Sequence, residues 1–268
     1  MSYTIALIQC EVRNEIKENL KTAEYYTKKA RQAGACLAVF PEYFMLSNLI
    51  FPEDYVNQSQ TIPGPFVDAM AALAVRYNLW ILFGMNERAV TNPKKSYNTL
   101  VLLDDRGNIQ GTYRKTHLFD AFHWKESDST LPGDGFFVPV QTPFGILGLG
   151  TCYDLRFPEL ARYEALHKAE ILIYPAAWVK GNLKHIQWKS LLAARAIENG
   201  IYVMGCSQYT KDTYLGQSCA FDPFGQILAE GSNKEEMLLV ATEAEQTKEA
   251  QKIIPALANR RRDLYKLF

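Results

Sequence analysis

The sequence predicts an α/β protein in which two mixed β-sheets carry helices on their outer sides. Three observations predict it. Short apolar strands alternate with amphipathic helical stretches, hairpin signals recur in both halves, and no Pro/Gly/Ser-rich linker divides the 268 residues. This length, with 48% hydrophobic residues, suffices for one large core, so residues 1–268 read as a single domain.

Each element has its own signal. YTIALIQC is rich in β-formers. NEIKENLKTAEYYTKKARQAGA carries Ile16, Leu20, Ala23, Tyr26 and Ala30 at helical spacing, with Gly34 near its end. CLAVF is a short, fully apolar strand. Residues 63–78 read as a helix with Pro63 and Pro65 at its start. LWILFGM is a buried strand, and YNTLVLLDDRGNIQGTYRK is a hairpin around DDRGN. The second half repeats this order. A strand ends at Cys152, a helix follows over about 156–168, and ILIYPAAW is the next strand. A helix over 184–200, the strand IYVMGCS and the hairpin SCAFDPFGQILAE complete it. The long irregular stretch, residues 117–136, contains several aromatics and reads as an ordered loop beside a site.

Composition narrows the function. The 29 basic and 29 acidic residues cancel, which argues against a nucleic-acid binder, because phosphate contacts need a basic surface. The dense run Arg260, Arg261 and Arg262 is short enough to be a solvated or interface patch. Five cysteines, at 10, 36, 152, 206 and 219, show no metal or redox spacing, and neither do the histidines at 117, 123, 167 and 185. Free thiols suit a reducing compartment. No basic leader precedes the first strand, and no run approaches the roughly 18 apolar residues of a membrane span. The expectation is a cytoplasmic protein with no metal, no organic cofactor and no membrane partner.

Three groups with chemistry lie at the ends of buried strands: Glu42 in AVFPEYF, Lys115 in GTYRKTH and Cys152 in ILGLGTC. Strand ends carry sites in layered α/β proteins because the core fixes the backbone while the tip stays reachable. Glu126 lies in the loop after Lys115. A nearby ammonium and a helix N-terminus both lower a thiol pKa, so Cys152 is expected to lean toward thiolate. A glutamate in a closed apolar pocket has a raised pKa and can trade protons near neutrality. Position alone leaves other roles open. Taken alone, Cys152 reads first as a packed core cysteine, Glu42 as a cap or ion-pair partner, and Lys115 and Glu126 as solvated charges. Asp154 and Arg156 read as a helix cap that pairs internally. Cys10, Cys36, Cys206 and Cys219 read as core.

FPEYF, YRKTHLF and GTCYDLRFPE, in this order and at these separations, resemble the nitrilase superfamily of carbon–nitrogen hydrolases across nearly the whole chain. The resemblance implies a four-layer α-β-β-α sandwich and a Glu42–Lys115–Cys152 triad, with Glu126 as the family's second glutamate. Nitrilases proper typically show Cys-Trp-Glu where this chain has Cys152-Tyr153-Asp154. RAIEN and IPALANRRRDLY are also similar to the amidase branch that contains ω-amidase and deaminated glutathione amidase. The implied reaction is hydrolysis of a small-molecule amide through a cysteine thioester. In it, the Tyr153 N–H and Lys115 hold the oxyanion, and Tyr43, Phe119 and Trp178 wall the pocket. A nitrile or N-carbamyl substrate, or a silent interaction module, are the competing readings. Tyr153-Asp154 argues against the nitrile, and the retained Glu, Lys and Cys argue against the module. Where the branch tends to carry Thr-Gly-Pro-Ala-His-Trp, this chain reads AAWVKGNLKHIQW, so the resemblance does not carry the substrate. Lys180 and Lys184 in that stretch are candidates to receive a substrate carboxylate. The resemblance further implies a homodimer, with the tail from about 250 to 268 at the interface.

Overall fold

The computed structural model describes residues 2–265. The alternation in the sequence becomes two units of similar plan. In the first, β1 (Ser2–Gln9), α1 (Ile16–Gln32), β2 (Leu37–Val39), the short α2 (Pro52–Asn57), α3 (Pro65–Tyr77) and β3 (Trp80–Arg88) lead into the expected hairpin, β4 (Ser96–Leu103) and β5 (Ile109–Arg114). The 117–136 stretch is built of a small ribbon, β6 (Asp120–Ala121) with β7 (Trp124–Lys125), a 3-10 turn at Glu126–Asp128, and β8 (Thr130–Leu131). The second unit opens with β9 (Val140–Thr142), β10 (Gly145–Leu149) and a 3-10 turn over Cys152–Arg156. It continues through α4 (Pro158–Leu166), β11 (Ile171–Ala176), α5 (Lys184–Asn199) and β12 (Tyr202–Ser207). The hairpin β13 (Cys219–Phe221) and β14 (Ile227–Glu230) follows, then β15 (Glu236–Glu243) and α6 (Ala244–Ile253).

One topology serves both sheets. β1, β2 and β3 are parallel because α1 and α3 carry the chain back between them. β4 and β5 extend that sheet antiparallel on one side, and β15 closes it antiparallel to β1 on the other. In the second sheet β10, β11 and β12 are parallel across α4 and α5, β13 and β14 extend it, and β9 lines the opposite edge. β9, β15 and α6 carry no distinct signal in the sequence.

Side-chain alternation stacks the layers. Ile5, Leu7, Leu37 and Val39 enter one core with Leu147, Leu149, Ile171 and Ile173 of the second sheet. Their alternates Ala6, Ile8, Ala38 and Phe40 pack with Ala23 and Tyr26 of α1 and Phe66 and Met70 of α3. This is the period of two expected of strands buried on both faces. Leu160 of α4 and Trp188 and Leu192 of α5 cover the outer face of the second sheet. The fold is therefore the four-layer α-β-β-α sandwich.

α4 begins at Pro158, two residues later than the expected start near 156. Proline suits the first helical position but keeps its predecessor out of the α region, and Phe157 sits at φ −106°, ψ 98°. The chain between Cys152 and Phe157 is thereby left as a separate tight turn. No helix among the described residues is long and apolar enough to cross a membrane. The last three residues of the expected interface tail, 266–268, lie outside the described residues.

Candidate active site

The ends of β2, β5, β10 and β11 open into one cavity of about 300 Å³, at the small end of the range for ligand pockets. Glu42, Lys115, Glu126 and Cys152 all line it, so the structure brings together the four groups that the sequence singled out. Tyr43, Phe119, Tyr153 and Trp178 line it as well.

Cys152 sits on a sharp strand-to-turn transition. Its φ is +44°, a left-handed conformation that costs a non-glycine residue about 1–3 kcal/mol and persists only where surroundings impose it. Asp154 imposes it: its Oδ2 accepts the Thr151 N–H at 2.9 Å, and its own N–H donates to the Thr151 carbonyl at 2.8 Å. Small residues in the preceding strand allow the close packing. A Cβ at Gly150 would lie 2.4 Å from the Tyr174 ring, and one at Gly148 would lie 1.9 Å from the Glu164 carboxylate.

Asp154 does not pair with Arg156, contrary to the expectation. It accepts from Tyr113 Oη at 2.8 Å and the His117 backbone N–H at 3.1 Å, and contacts His117 Nδ1 at 2.7 Å. Those residues flank Lys115, so the buried Asp154 ties the Cys152 turn to the lysine-bearing strand end. Arg156 instead donates to Gln187 at 2.8 Å and lies over the Trp178 ring.

Glu42 follows β2 and is 1% exposed. Its Oε1 accepts from Lys115 Nζ at 3.0 Å and from Asn98 Nδ2 at 2.8 Å, and its Oε2 accepts the Ala177 N–H at 2.7 Å. Burial pushes its pKa up and the Glu126 charge adds to this; Lys115 and Asn98 oppose without cancelling it. β3 must pass very close to hold this turn, since a Cβ at Gly84 would lie 2.7 Å from Tyr43 N and 2.9 Å from Glu42 Cα. Both contacts are backbone and cannot yield cheaply. Gly84→Ala is therefore expected to cost about 1–3 kcal/mol as an overpacked site. Thermal unfolding reads this directly, and a wild-type Tm would show that the turn relaxes freely.

Glu126 is presented by the ribbon. Phe122 and His123 form its tip at φ +53° and +71°, the left-handed pair of a two-residue hairpin turn. The returning strand carries the Glu126 side chain inward to 8% exposure. Its Oε2 accepts from Lys115 Nζ at 2.8 Å and the Phe119 N–H at 2.7 Å, and its Oε1 from Tyr43 Oη at 2.7 Å and Asn98 Nδ2 at 3.1 Å. Burial acts to raise this carboxyl, but Lys115, Tyr43 and Phe119 outweigh it and hold its pKa below the ordinary value. Two carboxyls around one ammonium are thus pushed apart, one toward proton exchange and one toward permanent charge, the pattern of assigned acid–base roles. Burial would lower Lys115, but Glu126, Glu42 and Cys152 together hold its ammonium well above the usual lysine value.

The thiol departs from expectation. Burial, with Glu42 next, raises the Cys152 pKa well above the ordinary value, and Lys115 only partly offsets them. Lys115 is engaged by two carboxylates, and a five-residue 3-10 turn, not an α-helix, follows the cysteine. These surroundings favour the protonated thiol, with the Glu42 carboxyl beside it.

The Carbon-nitrogen hydrolase family pattern matches residues 4–252. The chain belongs to the carbon–nitrogen hydrolase family. It is 35% identical over 274 residues to deaminated glutathione amidase of Homo sapiens, covering 97% of this chain and 83% of that relative. It is 32% identical over 277 residues to an omega-amidase of Mus musculus, covering 98% and 97%. The crystal structure of the Caenorhabditis elegans NitFhit protein matches it with a TM-score of 0.92 at 28% identity, over 99% of this chain and 66% of that one.

In this carbon–nitrogen hydrolase the two candidate lysines separate. Lys180 turns away and donates to the Thr210 and Lys211 carbonyls at 2.9 and 2.6 Å. Lys184 lines the cavity, with its ammonium 5.3, 4.6 and 5.4 Å from the ring centroids of Phe119, Phe122 and Trp178. Sequence reasoning missed Asn98, which reaches both glutamates. Its signal was a lone amide inside the apolar strand SYNTLVLL, where a buried polar side chain needs partners. It also missed the Ala177 N–H, which no side-chain pattern reveals.

Proposed function

We propose that this chain hydrolyses the C–N bond of small linear amides to a carboxylate and ammonia through a thioester on Cys152. The observation that carries the reading is the split carboxyl pair, Glu42 and Glu126, on one ammonium beside a buried thiol. The names of the relatives, both amidases, agree with it. In the proposed course Glu42 takes the Cys152 proton as sulfur bonds the amide carbon. Lys115 spends two of its three N–H donors on Glu42 and Glu126, and the third, with the Tyr153 N–H, serves the oxyanion. Glu42 returns the proton to the nitrogen, the C–N bond breaks and ammonia leaves. Water, deprotonated by Glu42, then cleaves the thioester and the proton returns to sulfur. Glu126 stays charged and keeps Lys115 an ammonium.

The acyl part proposed for the substrate ends in a carboxylate. Lys184 is 8% exposed, no carboxylate pairs with it among the described residues, and burial, with Arg156 next, lowers its pKa. A cation held this way gains from an anionic ligand. Lys184→Met is expected to raise the ratio of KM for a carboxylated amide to KM for its uncharged match by about 10- to 100-fold. An unchanged ratio would remove Lys184 from the subsite.

Ammonia release from paired small amides and nitriles tests the whole reading. Turnover of nitriles with none of the matched amides would sink it. Cys152 alkylation no faster than that of Cys10 or Cys206 would favour a silent protein. We further propose a single-domain, cytoplasmic homodimer. Ile253, Ile254, Leu264 and Tyr265, exposed near the C-terminus, support the dimer, and a monomeric mass in solution would refute it.

A further inference from the structure

We propose that Asn98 is a positioning residue for the acid–base pair: its one amide nitrogen holds Glu42 in line for the Cys152 thiol and keeps it apart from Glu126. The inference rests on the amidase reading above. Asn98 lies on β4 and is 1% exposed. Its Nδ2 donates to Glu42 Oε1 at 2.8 Å and to Glu126 Oε1 at 3.1 Å, one N–H for each carboxylate. Its Oδ1 has no partner among the described residues. The amide therefore uses all of its donor capacity and none of its acceptor capacity. Flipping it would place an acceptor against two acceptor-only carboxylates, so this orientation is the one the site permits.

The same residue also places the ammonium. The Asn98 carbonyl accepts the Lys115 N–H at 2.8 Å, just past the end of the β4–β5 ladder. One residue thus sets the height of Lys115 along its strand and the spacing of both glutamates across it. The groups that face Glu42 are Lys115, Glu126 and Cys152, with Tyr43, Tyr55 and Tyr214 farther around it. Lys115 is shared between the two carboxylates, so it cannot orient one without the other. Asn98 gives the pair a second, neutral bridge, which separates two like charges without adding a charge of its own.

Loss of this donor favours the protonated form of Glu42, because its carboxylate form is the one the N–H supports. Turnover needs that carboxylate, so the acid limb of the kcat/KM profile must move to higher pH. Asn98→Leu keeps the approximate shape and removes both donors. Its acid limb is expected to rise by about 1–2 pH units, the size of one charge-assisted hydrogen bond, with KM near the wild-type value. Asn98→Ser, smaller and still a donor, should shift it the same way by less, and serves if the leucine variant does not fold. The pH profile of Cys152 alkylation by iodoacetamide, read on the Cys152 peptide, should move in parallel. An acid limb at its wild-type position, with the rate only scaled down, overturns the proposal. If the wild type releases ammonia from no amide, the amidase reading fails, and the alkylation profile still decides Asn98: a shift supports it and an unmoved profile overturns it.

Discussion

Cys152→Ala is expected to abolish amide turnover while leaving the fold intact. Loss of a nucleophile in enzymes of this kind of logic lowers kcat by up to about 10⁶-fold. The fold should tolerate the change. The thiol is small, burial favours its protonated form, and the left-handed turn is imposed from outside by Asp154 rather than by the cysteine. A Tm within a few degrees of wild type and an unchanged far-UV spectrum would check this. Cys152→Ser sharpens the test, because it keeps the geometry and changes only the acid. Burial already raises the thiol, and a serine hydroxyl in the same place is harder still to deprotonate with a carboxylate base. Severe impairment of the serine variant is expected. Hydroxylamine added during wild-type turnover should yield the hydroxamate by intercepting the thioester. Wild-type rates in Cys152→Ala, or no hydroxamate under turnover, would remove the cysteine from the chemistry.

The two-sheet fold was legible because its parallel strands are short and apolar on both faces, while the helices between them keep a clean stripe. What escaped was non-local or half-exposed. β15 reads EMLLVATE, half open to solvent along an edge, and its partner β1 lies at the other end of the chain. The strand-end placement of Glu42, Lys115 and Cys152 was legible from position, while their reading as one set came from the resemblance. Glu126 was legible only by resemblance, because a ribbon tip with two left-handed residues is what turns it inward. The thiol pKa was misjudged for a physical reason: charge sign can be read from sequence, but depth of burial and prior engagement of the lysine cannot. Lys180 and Lys184 looked alike for the same reason. They are separated by a left-handed residue, Leu183 at φ +59°, and only the second enters the cavity.

Lys115→Met should invert the contribution of Glu126 to the dependence of stability on pH, besides eliminating turnover. The lysine is 2% exposed and bridges two carboxyls, Glu42 at 1% and the Glu126 side chain at 8% exposure. Removing one partner of a buried ion pair is expected to cost about 3–5 kcal/mol, because it leaves charge uncompensated. In the wild type, the depressed Glu126 pKa contributes stability above the unfolded glutamate value of about 4.3, lost as pH falls through the folded value. Without Lys115 that term changes sign. Burial then raises both Glu42 and Glu126 with nothing to oppose it but neutral donors, so the folded state binds protons more tightly than the unfolded one. The variant should be most stable below about pH 4.3 and should lose stability as pH rises toward its new folded pKa values. Urea unfolding at several pH values measures this. Adding Glu126→Gln to Lys115→Met should recover part of the loss near neutral pH, since one uncompensated charge is gone, without restoring activity. A double variant no more stable than the single one, or a Lys115→Met with the same pH dependence of stability as wild type, would mean that Glu126 is not held as a charge by this lysine.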